Sequence, residues 1–367
     1  MISKEHNNHK NHHPNQNFAR IEIGFWGIGC TAMQQLYTSL TEANTNYKIG
    51  FYDIKHEEKL EAITTLNFNN VQLQLPQTIS QYQINQFFNA ADVVIINGNH
   101  HHSNNMWLIL DGKKDFKPND EHLEKTSIIF YNEQTKQLAK QLKEIHPSIQ
   151  LISECQFDSI HQQLNALISK HIPTLSGIIL TGGESTRMKE NKSLIVYHKE
   201  PQWLHLYHLL NNYCEVTFVS CTEKNAELYD GKALLTDTFL GLGPLSGILT
   251  ALRYFKNKAV LILACDLPLI DDDAISQLVE ERDASKMATT FLNSESNFLE
   301  PLITIYEPKA LPIMLTMMAQ GYTCPRKMLM QNEIKVIHPK NATALKNINH
   351  PEEKNQILNM LLKSENI

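Results

Sequence analysis

The sequence predicts an α/β protein made of two doubly wound units, and two observations carry that expectation. From Ala19 onward, short apolar runs of strand length alternate with amphipathic helical stretches, the pattern of sheets covered by crossover helices. Pro173 then interrupts the alternation and it begins afresh at LSGIILTGG. A chain of 367 residues also exceeds one ordinary core. The expected organisation is therefore a tail at 1–17, an α/β domain at 18–172 and a second at 173–367.

In the first half, ARIEIGFWG, YKIGFYDI, ADVVIING, MWLILDG, SIIFYN and IQLISE read as strands. AMQQLYTSLTEA, KQLAKQLKEI and SIHQQLNALISKHI carry helical spacing of their apolar residues. In the second half, SGIILTGG, VTFVSC and AVLILACDLPLI read as strands, and WLHLYHLLNNY, GILTALRYF and AISQLVEER as helices. A ligand crevice is expected at the carboxyl ends of such strands. Asp271, Asp272 and Asp273 open a helix, where acids cap the N-terminus and complement its dipole.

Composition narrows the function classes. A formal net charge of −6 argues against wholesale nucleic-acid binding and leaves room for a local basic pocket. No run reaches the roughly 18 apolar residues that span a bilayer, so no membrane association is expected. The tail has no apolar stretch that would make a signal peptide. Its His9, His12 and His13 lack acidic or thiol partners, so it is expected to be disordered and without a dedicated metal site. Cys30, Cys155, Cys214, Cys221, Cys265 and Cys324 form no CxxC pair, which points to a reduced, cytoplasmic protein.

The chemistry concentrates in the stretch from Leu180 to Lys192, LTGGESTRMKENK, directly after an apolar strand. Gly182 and Gly183 allow a tight turn that presents backbone N–H groups to a ligand. Arg187 has the planar fork that grips phosphate oxygens, and Lys192 supplies a compact charge for one phosphoryl group. Strand, Gly-Gly, Arg and Lys in this order favour a phosphate-binding loop over a plain turn.

This stretch resembles the signature L-x-G-G-x-S-x-R-M-G-x-D-K of nucleotidyltransferases with a GT-A-like Rossmann fold, and within them the molybdenum cofactor guanylyltransferases. Four further matches follow in family order: Thr236-Asp237 with Gly241 to Gly247, Ala264-Cys-Asp-Leu-Pro268, Glu300-Pro301-Leu302, and Asn347 to Glu353. The resemblance covers almost all of residues 175–353. It implies transfer of GMP from GTP to the molybdopterin form of the cofactor, with release of pyrophosphate and a requirement for Mg²⁺. It implies catalytic roles for Arg187, Lys192 and Asp266. Nucleotide contacts are implied for Leu180, Gly182, Gly183, Lys192, Asp237 and Gly243. Acceptor contacts are implied for Arg326, Lys327, Asn347 and Asn349.

Asp266 ends a strongly apolar strand, where a carboxylate suits Mg²⁺, although an Asp before Leu-Pro also caps helices. Asn347 and Asn349 have the same alternative, a polar turn leading into the last helix. Lys189 and Asn191 depart from the family's Gly and Asp. The first adds a side chain, and the second keeps hydrogen-bonding reach without charge. Other readings are transfer from CTP, transfer to or from a sugar phosphate, and a non-catalytic protein that carries the cofactor. Molybdoenzymes and other cofactor-biosynthesis proteins are the expected partners.

In the first half, Gly24-Phe-Trp-Gly-Ile-Gly-Cys-Thr31 fits G-x-x-x-x-G-K-[ST] with Cys30 in place of the lysine. VVIING ends in Asn97 where a P-loop protein keeps an acid. This half thus resembles a degenerate P-loop adaptor of the molybdopterin-guanine dinucleotide pathway, the alternative being an unrelated α/β domain with a glycine turn. Neighbouring His100, His101 and His102 cannot all face one ion and are expected to form a polar loop.

Overall fold

The computed structural model describes residues 17–55, 63–69, 71–75, 79–182, 191–229, 231–348 and 351–364. The tail and much of the Gly-Gly loop, including Gly183, Arg187 and Lys189, lie outside the described residues, as does Asn349.

The first sheet arises from residues 21–152. Its opening elements are β1 (Ile21–Trp26), α1 (Cys30–Ala43), β2 (Ile49–Lys55), β3 (Ile63–Phe68), β4 (Val71–Leu75) and α2 (Gln81–Phe87). β5 (Val93–Asn97), β6 (Met106–Leu110), α3 (Asp120–Glu124), β7 (Thr126–Tyr131), α4 (Lys136–Ile145) and β8 (Gln150–Ile152) complete it, and α5 (Phe157–Lys170) follows. The strand order is β4-β3-β2-β5-β1-β6-β7-β8. Helices cover both faces: Met33 and Leu40 of α1 join Leu164 and Ile168 of α5 over Ile23 and Phe25, while Leu108 and Ile129 pack on Leu142 from the other side.

Six of these strands are parallel, as the alternation implies. The β3–β4 hairpin is an antiparallel addition at the edge. Its β4, VQLQL, is almost wholly exposed, so it lacks the apolar run by which the buried strands announce themselves.

The second sheet starts with β9 (Leu175–Leu180), α6 (Gln202–Leu210), β10 (Val216–Cys221), β11 (Leu234–Thr236), α7 (Pro244–Tyr254) and β12 (Ala259–Ala264). It continues with α8 (Asp272–Glu280), β13 (Ala288–Asn293), β14 (Phe298–Tyr306), α9 (Ala310–Ala319), α10 (Pro325–Met330) and β15 (Lys335–Ile337); α11 (Pro351–Ser364) ends the described chain. The order is β11-β10-β9-β12-β14-β13-β15. β10 and β12 flank β9 on opposite sides, so the chain changes direction there and opens a crevice at the carboxyl ends of β9 and β12.

A purely parallel winding is not what forms. β14 runs antiparallel to both β12 and β13. Its pairing of Ile303 with Leu263 brings its own beginning, Glu300 to Leu302, beside the end of β12. A parallel β14 would have carried that segment to the opposite edge.

The two sheets meet through Lys309, whose ammonium pairs with Asp92, and through Lys48–Glu333 at 2.9 Å. No helix among the described residues is long and apolar enough to cross a membrane.

Candidate active site

Leu180 is the last residue of β9, and Thr181 and Gly182 follow it into the crevice. Thr181 is pinned by its N–H and Oγ1, which donate to Ser220 O at 3.1 and 2.8 Å. Chain description resumes at Asn191, which caps a 3-10 turn at Lys192–Leu194. Asn191 Oδ1 accepts from Ser193 N at 3.1 Å and from Ser193 Oγ at 2.8 Å. The departure from the family's Asp therefore retains a capping role that either residue fills. Lys192 Nζ donates to Ile348 O at 2.7 Å and lines a cavity of about 200 Å³ shared with Gly182 and Asp266.

Asp266 lies just past β12. Its backbone oxygen accepts from Ile348 N at 2.9 Å, so one closing segment touches both Asp266 and Lys192. Among the described residues its Oδ1 is buried with no hydrogen-bond partner. Burial raises its pKa, opposed by the Lys192 ammonium. It does not cap α8, because Asp271 does, accepting from Ala274 N at 2.9 Å. The alternative reading of Asp266 as a helix cap is thereby removed.

Glu300 is the site residue that sequence reasoning passed over, although its Glu-Pro-Leu triplet had been noticed. It is 5% exposed, and Asn293 Nδ2 donates to its Oε1 at 2.9 Å. Burial raises its pKa and the Asp266 charge adds to this, while hydrogen bonds from Asn293 and Asn347 and the charge of Arg326 oppose it. Only the antiparallel course of β14 brings Glu300 to the crevice.

The acceptor-side residues separate. Arg326 Nε donates to Leu299 O at 3.0 Å and its guanidinium lies 4.7 Å from the Phe298 ring centroid. Lys327 is exposed on the same short helix, without a described hydrogen bond into the site. Asn347 reaches Glu300, so it belongs to the site's polar wall.

The other compartment, of about 380 Å³, is lined by Ser220, Asp237 and the glycine loop. Ser220 Oγ donates to Asp237 Oδ1 at 2.8 Å, and burial raises the Asp237 pKa against that bond. Gly243 adopts φ 58° and ψ −137° before Pro244 opens α7, a conformation that side chains resist. At Gly247 a Cβ would meet Leu180 Cδ2 at 2.5 Å and Ser220 Oγ at 2.7 Å, so only glycine lets α7 approach β9 and β10 this closely. The two cavities share Leu180, Gly182 and Pro244. One offers backbone, apolar side chains and the Asp237 carboxylate, the other the Lys192 ammonium and the Asp266 carboxylate.

The glycine motif of the first sheet, expected as a degenerate P-loop, is a short strand-to-helix turn. Gly24 lies inside β1, and Phe25 and Trp26 continue the strand with buried side chains. Gly27, Ile28 and Gly29 alone join β1 to α1. The three histidines do leave a turn and diverge. However, His100 Nδ1 lies 2.8 Å from Asp53 Oδ1, so it is a paired group and not simply part of a polar loop. His101 stacks on Tyr52, and His102 packs against His122.

The crevice of the second sheet, two cavities meeting at Gly182, belongs to a protein of the NTP transferase class. A family model described as "MobA-like NTP transferase domain" matches residues 177–335. A "Probable molybdenum cofactor guanylyltransferase" of Flavobacterium johnsoniae is 31% identical over 192 residues, covering 50% of this chain and 96% of that protein. The "Molybdenum cofactor biosynthesis bifunctional protein" of Synechocystis is 36% identical over 185 residues, covering 50% of this chain and 53% of that protein. This chain thus spans about half the length of the Synechocystis relative. A solved "Molybdopterin-guanine dinucleotide biosynthesis protein A" of Archaeoglobus fulgidus aligns with TM-score 0.44 and 20% identity, over 51% of this chain and 99% of that one. The chain belongs to the molybdenum cofactor guanylyltransferase family.

Proposed function

We propose that this chain transfers GMP from GTP to molybdopterin, releasing pyrophosphate, in the crevice between β9 and β12. The observation that carries the reading is the buried Asp266 Oδ1, which has no hydrogen-bond partner among the described residues and shares one cavity with Lys192, adjoining the compartment of Asp237.

In this reading the glycine loop and Asp237 seat the nucleoside, and Lys192 holds oxygens of the α-phosphoryl group. Arg187 grips the departing pyrophosphate. The acceptor's terminal phosphate attacks the α-phosphorus in line with that leaving group, so the P–O bond to pyrophosphate breaks as the new one forms. Positioning and electrostatics suffice, with no protein nucleophile. Arg326, Lys327, Asn347 and Asn349 are the candidate contacts of the acceptor.

The donor set fits a hard divalent cation: a buried carboxylate oxygen without a partner among the described residues, and a second carboxylate, Glu300, near enough to feel its charge. Mg²⁺ held by Asp266 would neutralise charge on phosphate oxygens. The chain is further proposed to divide into working units at 18–172 and 173–367, and to work in the reducing cytoplasm, where its six free thiols persist.

Calorimetric titration with Mg-GTP, Mg-CTP and Mg-ATP, followed by assay of pyrophosphate release with molybdopterin, tests the proposal. Preferred binding of GTP and formation of a guanine dinucleotide are expected. Preference for CTP would reassign the donor, and binding without pyrophosphate release would make the chain a carrier.

A further inference from the structure

A thiol, an imidazole and a carboxylate meet at the carboxyl edge of the first sheet, outside the nucleotide crevice. There β1, β5 and β2 lie side by side and parallel, with Phe25 paired to Asn97 and Ile96 to Tyr52. That register sets Asp53, one residue further along β2, level with the end of β5. The turn after β5 carries His100, and the turn after β1 delivers Cys30 as the first residue of α1. Three strand ends therefore contribute to one cluster.

Cys30 Sγ lies 3.9 Å from His100 Nε2, and His100 Nδ1 lies 2.8 Å from Asp53 Oδ1. One ligand atom from each of the three side chains lies within 4.8 Å of those from the other two, and among the described residues no other group of His, Cys, Asp and Glu gathers so closely. We propose that Cys30, Asp53 and His100 bind a divalent transition-metal ion of the zinc type, with one coordination position left to water or an incoming ligand. Sulfur and imidazole ligands select such an ion over a hard one such as Mg²⁺, and three protein ligands leave a tetrahedral site open.

Bonds of about 2.0–2.3 Å at tetrahedral angles put neighbouring ligand atoms roughly 3.3–3.8 Å apart. The sulfur–nitrogen separation is already close to that, and rotation of the Cys30 side chain, exposed at the helix start, closes the remainder. Asp53 and His100 also have further interactions of their own. Each carries two polar side-chain atoms, so one can take the ion while the other keeps a neighbour, as partners that orient metal ligands do.

The surroundings suit a bound ion. Asn97 is fully buried and donates from Nδ2 to Cys30 Sγ at 3.7 Å. Its Oδ1 in turn accepts from Asn99 N at 3.1 Å and from Asn99 Nδ2 at 2.9 Å, so the amide is held from behind. A fixed N–H aimed at sulfur supports the charge of a coordinated thiolate. Asp53 is 3% exposed whereas Cys30 is open to solvent, which gives the cluster a buried floor and a mouth through which the ion and a fourth ligand enter.

The test uses the full chain, stripped with chelator and titrated with Co²⁺ as a coloured stand-in for Zn²⁺. A sulfur-to-cobalt charge-transfer band in the near ultraviolet should saturate at one equivalent. Binding by histidines alone, as at His9, His12 and His13, gives no such band. Zn²⁺ should displace the cobalt, and a large excess of Mg²⁺ should not. Cys30→Ser should abolish the band, and Cys324→Ser should leave it unchanged. Asp53→Asn and His100→Gln should each weaken Co²⁺ binding about 10–100-fold. Zn²⁺ should also slow alkylation of Cys30 by iodoacetamide and leave that of the exposed Cys324 as it was, read by peptide mass spectrometry. Because Cys30 is exposed, its variant keeps the test decisive even where Asp53→Asn fails to fold. The proposal is overturned by the absence of a band or by a band that survives Cys30→Ser. Folded Asp53→Asn and His100→Gln proteins that bind Co²⁺ as the parent does also overturn it, because the cluster would then be an ion pair beside an ordinary thiol.

Discussion

Asp266→Asn should make the protein more stable and nearly inactive at once, an uncommon pairing that separates a functional carboxylate from a structural one. Among the described residues Asp266 Oδ1 is a buried acceptor with no partner, and burial raises the carboxyl's pKa. A buried unsatisfied polar group costs about 1–3 kcal/mol, more when charged. Asparagine keeps the shape and removes the charge, so a gain of roughly 1 kcal/mol is expected, or about 2–4 °C in Tm for a unit of this size.

The sign of the pH dependence follows from the raised pKa. A carboxyl whose folded pKa exceeds its unfolded value favours folding while both forms are protonated, and that contribution is lost as pH rises through the folded pKa. The mutant's advantage should therefore be small in acid and grow toward neutrality. Added Mg²⁺ should stabilise the parent and leave Asp266→Asn unmoved. Losing the cation's neutralisation of phosphate charge, at roughly 3–4 kcal/mol, corresponds to about a 10²–10³-fold fall in turnover. Scanning fluorimetry across pH with and without Mg²⁺, together with a pyrophosphate-release assay, reads both effects. A destabilised mutant that turns over normally would refute the reasoning and return Asp266 to a structural role.

Three further outcomes are expected. Lys192→Ala should lower kcat about 10²-fold with a smaller change in GTP affinity, since charge on the α-phosphoryl oxygens peaks in the transition state; equal losses in both would mean that Lys192 only binds. Gly247→Ala forces a Cβ to within 2.5 Å of Leu180 Cδ2, so urea unfolding should show a loss of about 1–3 kcal/mol, with weaker GTP binding as Asp237 shifts. Arg282→Ala breaks a two-pronged pair, at 2.7 and 2.8 Å, with the fully buried Glu307. It should cost about 3–5 kcal/mol, much of it recovered in Arg282→Met with Glu307→Leu, because the penalty lies in the stranded charge.

The sequence by itself determined the buried strands, since an all-apolar run such as AVLILA has no stable place except inside a covered sheet. It also placed Gly182, Asp237 and Asp266 just beyond strand ends, which the alternation locates without knowledge of neighbours. Tertiary structure alone decided strand direction and the meeting of distant groups. Nothing local marks β14 as antiparallel, because side-chain alternation is the same in either direction; yet that reversal is what delivers Glu300 to Asp266. In the first sheet the glycine spacing did not show that β1 continues through Trp26. Cys30, Asp53 and His100, up to 70 residues apart, became one cluster only through the order in which β1, β2 and β5 lie side by side. Burial patterns are written residue by residue, whereas pairing is a property of the whole sheet, set by which edges remain free when each strand docks.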